Sequence, residues 1–143
     1  MNNLKINHVA VLLCLILLHV LGFVWYGTLF MEQWMELVEL DPESMEGSNE
    51  AGIWITNFVA SLLPLYLLAW LFTKLEVTTG LRGAVIAFLI TFCFYHITIM
   101  RDNMFEGQHY GLAWITGGFS LVGLTLSGFI LGAWTKRDTP NRV

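Results

Sequence analysis

Charge is what this sequence has least of. Asp, Glu, Lys and Arg make up 13% of its 143 residues, against roughly 25% in an average soluble domain, which excludes an ordinary water-facing surface. Cysteine is almost absent as well. Cys14 and Cys93 each lie inside an apolar run and no Cys-x-x-Cys occurs, so neither a disulfide framework nor a thiolate metal site can be argued, and both read as unpaired core residues. Gly-rich phosphate loops, nucleophile elbows and basic patches are missing too, which leaves no nucleic-acid partner and no familiar catalytic motif to invoke.

What is present is hydrocarbon. Hydrophobic residues reach 56% and the mean hydropathy is +0.64. Four apolar runs can be drawn, at residues 6–30, 51–73, 81–100 and 110–134, each near the roughly 20 helical residues needed to cross a hydrocarbon core of about 30 Å. The first run continues past the apolar core of a secretory signal, about 7–15 residues, and is expected to be a retained span. Pro64 falls in the middle of the second, where a spanning helix tolerates proline with a kink if other groups satisfy the freed carbonyl. The expected fold is an all-α, integral membrane four-helix bundle forming one domain. Residues 31–50 make an acidic external loop and 135–143 a cytoplasmic tail.

The few charges are sorted. Lys5, Lys74, Arg82, Lys136, Arg137 and Arg142 lie at the two ends and in the middle connection, while the other two connections hold only Arg101. Cytoplasmic loops retain Lys and Arg, so both termini are expected in the cytoplasm and the chain in the inner membrane. The acids sort oppositely: all but Glu76 and Asp138 fall in the two connections placed outside, seven of them in residues 31–50. That acidic loop lacks the ligand pattern of a calcium loop. It reads as a solvated surface whose Trp34, with Trp25 and Tyr26, falls where aromatic belts form.

Small residues promise close packing. Ser120, Gly123, Gly128 and Gly132 mark neighbouring stripes of the fourth span and Gly22 notches the first; without hydrophobic drive in lipid, small residues are what let helix backbones approach. An interface within the bundle is the first reading. A homodimer seam or a docking face for a partner membrane protein is the second.

No carboxylate, Lys or Arg lies deep in a span, so the candidate chemistry falls to other groups. His8, His19 and Tyr26 share one helical face, because spacings of 11 and 7 residues return near the same angle at about 3.6 residues per turn. His19 near mid-span is expected either to meet a ligand in an internal cavity or to hydrogen-bond another helix through Asn57, Tyr95 or a serine. His96 lies near the outer end of the third span, followed by Arg101, Asn103, Glu106 and His109. Paired histidines raise haem or metal binding, but a depth mismatch of about 10 Å between His19 and His96 disfavours one shared iron. A divalent metal on His96, Glu106 and His109 is a further arrangement, and no particular cofactor is specified.

Asn7-His8-Val9-Ala10-Val11 leads into the first span, which ends on Gly22, Trp25-Tyr26-Gly27 and Phe30 to Trp34. Asn103-Met104-Phe105-Glu106-Gly107 precedes the last span, and Gly128 with Gly132-Ala133-Trp134 closes it. In this order the pieces resemble DUF1761, a family of small bacterial membrane proteins. The resemblance implies a four-span domain and brings no activity, substrate or cofactor with it. Where members often carry a basic residue and proline after Glu-Gly, this chain has Gln108-His109. The expected function is a small-ligand binding or transport module, not an enzyme, with His19, Trp25, Tyr26, Trp34, Asn57, His96, Arg101, Asn103, Glu106 and His109 around an outward-facing cavity. An accessory subunit docking through the fourth helix and a haem or metal redox protein are the alternatives.

Overall fold

The computed structural model describes residues 4–38 and 50–137. The middle of the acidic loop, with Glu39, Asp41, Glu43 and Glu46, and the end of the tail, with Asp138 and Arg142, lie outside the described residues. Four helical rods run His8–Leu29, Glu50–Lys74, Gly80–Phe105 and Tyr110–Ala133, of 22, 25, 26 and 24 residues. At about 1.5 Å per residue each exceeds a hydrocarbon core of about 30 Å, and all four are apolar enough to span a membrane. The first rod is α1 (His8–Val24) continued by a wide turn over Trp25–Leu29; α2 (Met31–Val38) is short; α3 is Glu50–Lys74. The third rod is α4 (Gly80–Thr91), a second wide turn over Phe92–His96, and α5 (Ile97–Phe105), and α6 is Tyr110–Ala133. Both wide turns close i to i+5: the Phe30 N–H donates to the Trp25 carbonyl and the Ile97 N–H to the Phe92 carbonyl, the geometry of a single-turn π-bulge.

The third span is longer than expected. Arg101, Asp102 and Asn103 read as a polar break, yet the helix runs on to Phe105, because none of these residues obstructs helical backbone. It stops where glycine allows. Gly107 has φ of 71°, and the Gln108 N–H turns back to the Asn103 carbonyl at 2.8 Å, the six-to-one bond of a Schellman cap. The same bond closes α3, from Val77 N–H to the Phe72 carbonyl at 3.0 Å, but there the left-handed position, φ 50°, is held by Glu76. Pro64 lies within an unbroken α3.

The interior is small and the outside is oily. Ala10, Val11, Cys14, Leu15 and Leu18 of α1 pack with Leu65, Leu68, Ala69 and Phe72 of α3, and with Ala87 and Leu131. Outside, Phe23 is 77% exposed, Phe94 79% and Phe105 88%, a surface of a kind that water-soluble monomers rarely carry in continuous patches. The closest packing joins α4 to α6. A Cβ at Gly128 would stand 2.5 Å from the Ala87 methyl and 2.6 Å from the Gly83 carbonyl, and one at Gly132 would stand 2.5 Å from the Thr79 carbonyl. Gly123 similarly admits Leu18 of α1, so Gly123, Gly128 and Gly132 of the fourth helix serve contacts within the chain.

Both described ends meet at one end of the bundle. A two-residue antiparallel ladder, β1 (Leu4–Lys5) on β2 (Lys136–Arg137), pairs Leu4 with Arg137 and Lys5 with Lys136. Beside it the Asn7 amide donates to the Trp134 carbonyl at 3.0 Å while its oxygen caps α1 at the Ala10 N–H. So short a ladder has no period to announce it in sequence.

Gly128→Leu should separate α4 from α6 and cost about 3 kcal/mol or more, the upper range for overpacking, measured as a lowered unfolding midpoint in detergent. Glu76→Gly should stabilise the fold by about 0.5–1 kcal/mol by relieving the left-handed backbone, read as a raised midpoint, whereas Glu76→Ala, which also removes the charge, should not.

Candidate functional site

The face shared by His8, His19 and Tyr26 is directed at α3. His8 Nδ1 lies 3.1 Å from the Tyr66 hydroxyl, the His19 ring centroid is 6.3 Å from that of Phe58, and Tyr26 shares a cavity wall with Asn57. The wide turn at Trp25–Leu29 sets the top of this face. Trp25, the first residue of that turn, lies against α6, where the indole N–H donates to the Ile115 carbonyl at 3.0 Å and Gly118 leaves room for the ring. Tyr26 is held between Phe119 at 5.4 Å and Trp34 at 5.5 Å. Trp34 thus buttresses Tyr26 from outside the cavity.

Three cavities abut along α3. The first, about 420 Å³, lies between α1, α3 and α6 and is lined by His19, Gly22, Phe23, Tyr26, Trp54, Asn57, Ser61 and Phe119 among others. The second, about 580 Å³, shares Leu18, Tyr26, Asn57, Ser61 and Phe119 with it and adds Pro64, Thr91, Tyr95, Thr116 and Ser120. The third, about 360 Å³, continues from Pro64 and Thr91 to Leu67, Leu68 and Leu71. Among the described residues, no Asp, Glu, Lys or Arg lines any of them. They exist because α3 is fastened only along half its length: Leu65, Leu68, Ala69 and Phe72 are buried, while residues 51–60, apart from a half-buried Gly52, are exposed.

Polar groups in the cleft have spare hydrogen-bonding capacity. His19 Nδ1 lies 2.9 Å from the Leu15 carbonyl of its own helix, not against Asn57, Tyr95 or a serine of another helix. A carbonyl only accepts, so a neutral ring carries its proton on Nδ1 and keeps Nε2 as an acceptor. The Thr116 hydroxyl donates to the Leu112 carbonyl at 2.8 Å and keeps acceptor capacity. Pro64 has no N–H for the carbonyl of Ala60, four residues earlier, and both residues line the second cavity.

The other expected site residues are elsewhere. His96 is fully buried between α5 and α6, stacked on Phe92 at 5.6 Å, edge-on to Trp114 at 4.7 Å, and seated on Gly117, where a Cβ would overlap its ring. Neither of its ring nitrogens has a partner. Arg101 forms an exposed ion pair with its neighbour Asp102 at 2.8 Å, the Asn103 carbonyl belongs to the helix cap, Glu106 is exposed, and His109 caps α6 by accepting from the Gly111 N–H at 3.1 Å. None of the five lines the three cavities, since α5 continues as helix where an enclosing loop was expected. His19 and His96 line no common space, and the described residues gather no group of three His, Cys, Asp or Glu side chains that could hold a metal. Ser61, Thr91, Tyr95 and Thr116 complete the cleft. Their signal in the sequence is i, i+4 spacing of polar side chains within apolar runs: Asn57 with Ser61, Thr91 with Tyr95, Thr116 with Ser120.

Four helices with the length and apolarity of membrane spans, an oily exterior and a charge-free cleft place the chain in the class of multi-pass membrane proteins. The model of the family described as "Protein of unknown function (DUF1761)" matches residues 9–132, and the chain belongs to that family. No curated protein and no solved structure matches it.

An unpartnered buried polar group costs about 1–3 kcal/mol. His96→Leu should therefore hold or raise the unfolding midpoint in detergent, with Gly117→Leu as the destabilising counterpart. A clear loss in His96→Leu would show that the imidazole nitrogens are satisfied, for instance by trapped water.

Proposed function

We propose that this protein lies in the cytoplasmic membrane with both termini inside and serves as a non-catalytic binding or transport module for a small ligand held in the cleft along α3. The observation that carries the reading is the cleft itself: two adjoining cavities with Leu18, Tyr26, Asn57, Ser61 and Phe119 as shared wall, lined also by His19, Thr116 and Ser120 and bounded on one side by a half-detached helix. Apolar walls with a few convergent polar groups are the usual form of a small-molecule site. The orientation is supported by charge. Lys5, Lys74, Arg82, Lys136 and Arg137 gather at the end where the ladder joins the termini, and Glu32, Glu36, Glu50, Asp102 and Glu106 lie at the opposite end, as the positive-inside rule requires of this topology.

Protein released from membranes in a mass spectrometer should carry a small-molecule adduct that Ser61→Trp and Ser120→Leu remove. A bare wild-type chain that also gains no thermal stability from any membrane extract would overturn the binding reading. A fluorescent reporter active only in the cytoplasm should light when fused after Arg137; export of that fusion would reverse the orientation.

A further inference from the structure

Resting on the cleft reading above, we infer that the ligand is a single-chain lipid with an uncharged hydrogen-bonding head. The head sits beside Tyr26, His19 and Asn57, and the chain runs down α3 to Leu71.

Two of the three cavities are polar and the third is not. The first offers an imidazole, a phenol, an amide and a hydroxyl, from His19, Tyr26, Asn57 and Ser61. The second keeps Tyr26, Asn57 and Ser61 and adds Thr91, Tyr95, Thr116 and Ser120. The third has Thr91 as its one hydroxyl and is otherwise hydrocarbon, from Pro64 and Leu67 to Leu71, Ile90 and Leu124. A compact polar molecule would leave that last cavity unused, and a plain hydrocarbon would leave the donors and acceptors of the first unmatched. A head with a tail satisfies both. From Asn57 to Leu71 the groove follows α3 for about 21 Å at 1.5 Å per residue, most of a hydrocarbon core of about 30 Å, which suits an extended chain.

Charge narrows the head. With no Lys, Arg, Asp or Glu among the described residues of the walls, a phosphate, carboxylate or ammonium would enter apolar surroundings without a counter-ion, a costly arrangement within a bilayer. A hydroxyl or carbonyl head needs only what is present: the Asn57 amide to donate, and His19 Nε2 or the Ala60 carbonyl left free by Pro64 to accept. Entry is lateral. Phe23 and Trp54 on one side of α3 and Phe94 on the other are all exposed rim residues, with Trp54 at 66%, so a lipid reaches the groove from the bilayer without crossing water.

The full chain in lipid nanodiscs is tested with a hexadecanol analogue carrying a diazirine at mid-chain. Photolabelling should fall on Pro64 to Leu67 or Ile90 to Phe94, half-way along the groove. Unlabelled hexadecanol should compete at least about tenfold better than hexadecyl sulfate at equal low mole fraction, a difference worth about 1.4 kcal/mol. Leu124→Trp, and the fold-tolerant Leu67→Trp at an exposed wall position, should each reduce labelling about tenfold. Equal competition by the sulfate overturns the uncharged head. If both Trp variants label like wild type while hexanol still stabilises the protein, the chain-binding inference falls and the cleft reading stands. Labelling confined to the outer flank and insensitive to every competitor overturns both.

Discussion

The close approach of α4 and α6 is the constraint on which the other contacts depend. Gly83, Gly128 and Gly132 bring backbone against backbone, with Ala87 and Thr79 filling the remaining space. In a lipid setting no hydrophobic force would press these helices together, and the close fit of small surfaces has to hold them. Once α4 is fixed on one side of α6, Gly123 receives Leu18 and Ser127 offers its carbonyl to the Cys14 thiol at 3.7 Å, so α1 takes the other side. The ladder and the Asn7 bridge then tie α1 to the end of α6. Three helices thus share one spine, and α3 is left to pack where it can.

Two π-bulges approach that spine at the same level. One presents Trp25 to Ile115 and Gly118, the other presents His96 to Gly117. An α-helix widened by one residue re-aims the side chains that follow, and such bulges are frequent at functional sites. Here a large nitrogen-bearing ring at each bulge, Trp25 at the start of one and His96 at the end of the other, lies against a short stretch of α6 containing two glycines. The outcomes differ. The indole finds a carbonyl, and the imidazole finds only Phe92, Trp114 and the glycine surface.

Much of this was legible because the sequence has so few charges to misplace. Helix number, the polarity of the connections and the internal use of Gly128 and Gly132 all follow from composition and small-residue spacing. The shared face of His8, His19 and Tyr26 follows from helical periodicity, and its His19 and Tyr26 line the cleft while His8 meets Tyr66. The Arg101 to His109 segment differs from its expectation for a physical reason. Polarity in the sequence suggests the end of a helix, but a helix ends where backbone geometry changes, and that position is Gly107. The extra helical turn carries Arg101 onto an exposed flank with Met100 and Met104 and leaves Glu106 and His109 beyond the cleft. The π-bulges had no sequence signal at all, since a one-residue widening leaves an apolar run looking unchanged.

The half-attachment of α3 links the fold to its proposed use. Its lower half has Leu65, Leu68, Ala69 and Phe72 to bury, closed by Val77 under the cap. Its upper half offers Asn57 and Ser61 to the bundle, and opposite them stand Tyr26, Phe119, Thr116 and Ser120, a set with hydrogen-bonding capacity and too much intervening space for direct bonds. Packing this half tightly would require small residues on α3 matched to small residues on α1, as α4 and α6 have. Gly22 makes only an ordinary 3.6 Å approach to Phe119, and the notch it leaves stays open beside His19. The same economy of small residues that closes one side of the bundle therefore leaves the other side open, and the described groups facing that opening are polar and uncharged toward Asn57 and hydrocarbon toward Leu71.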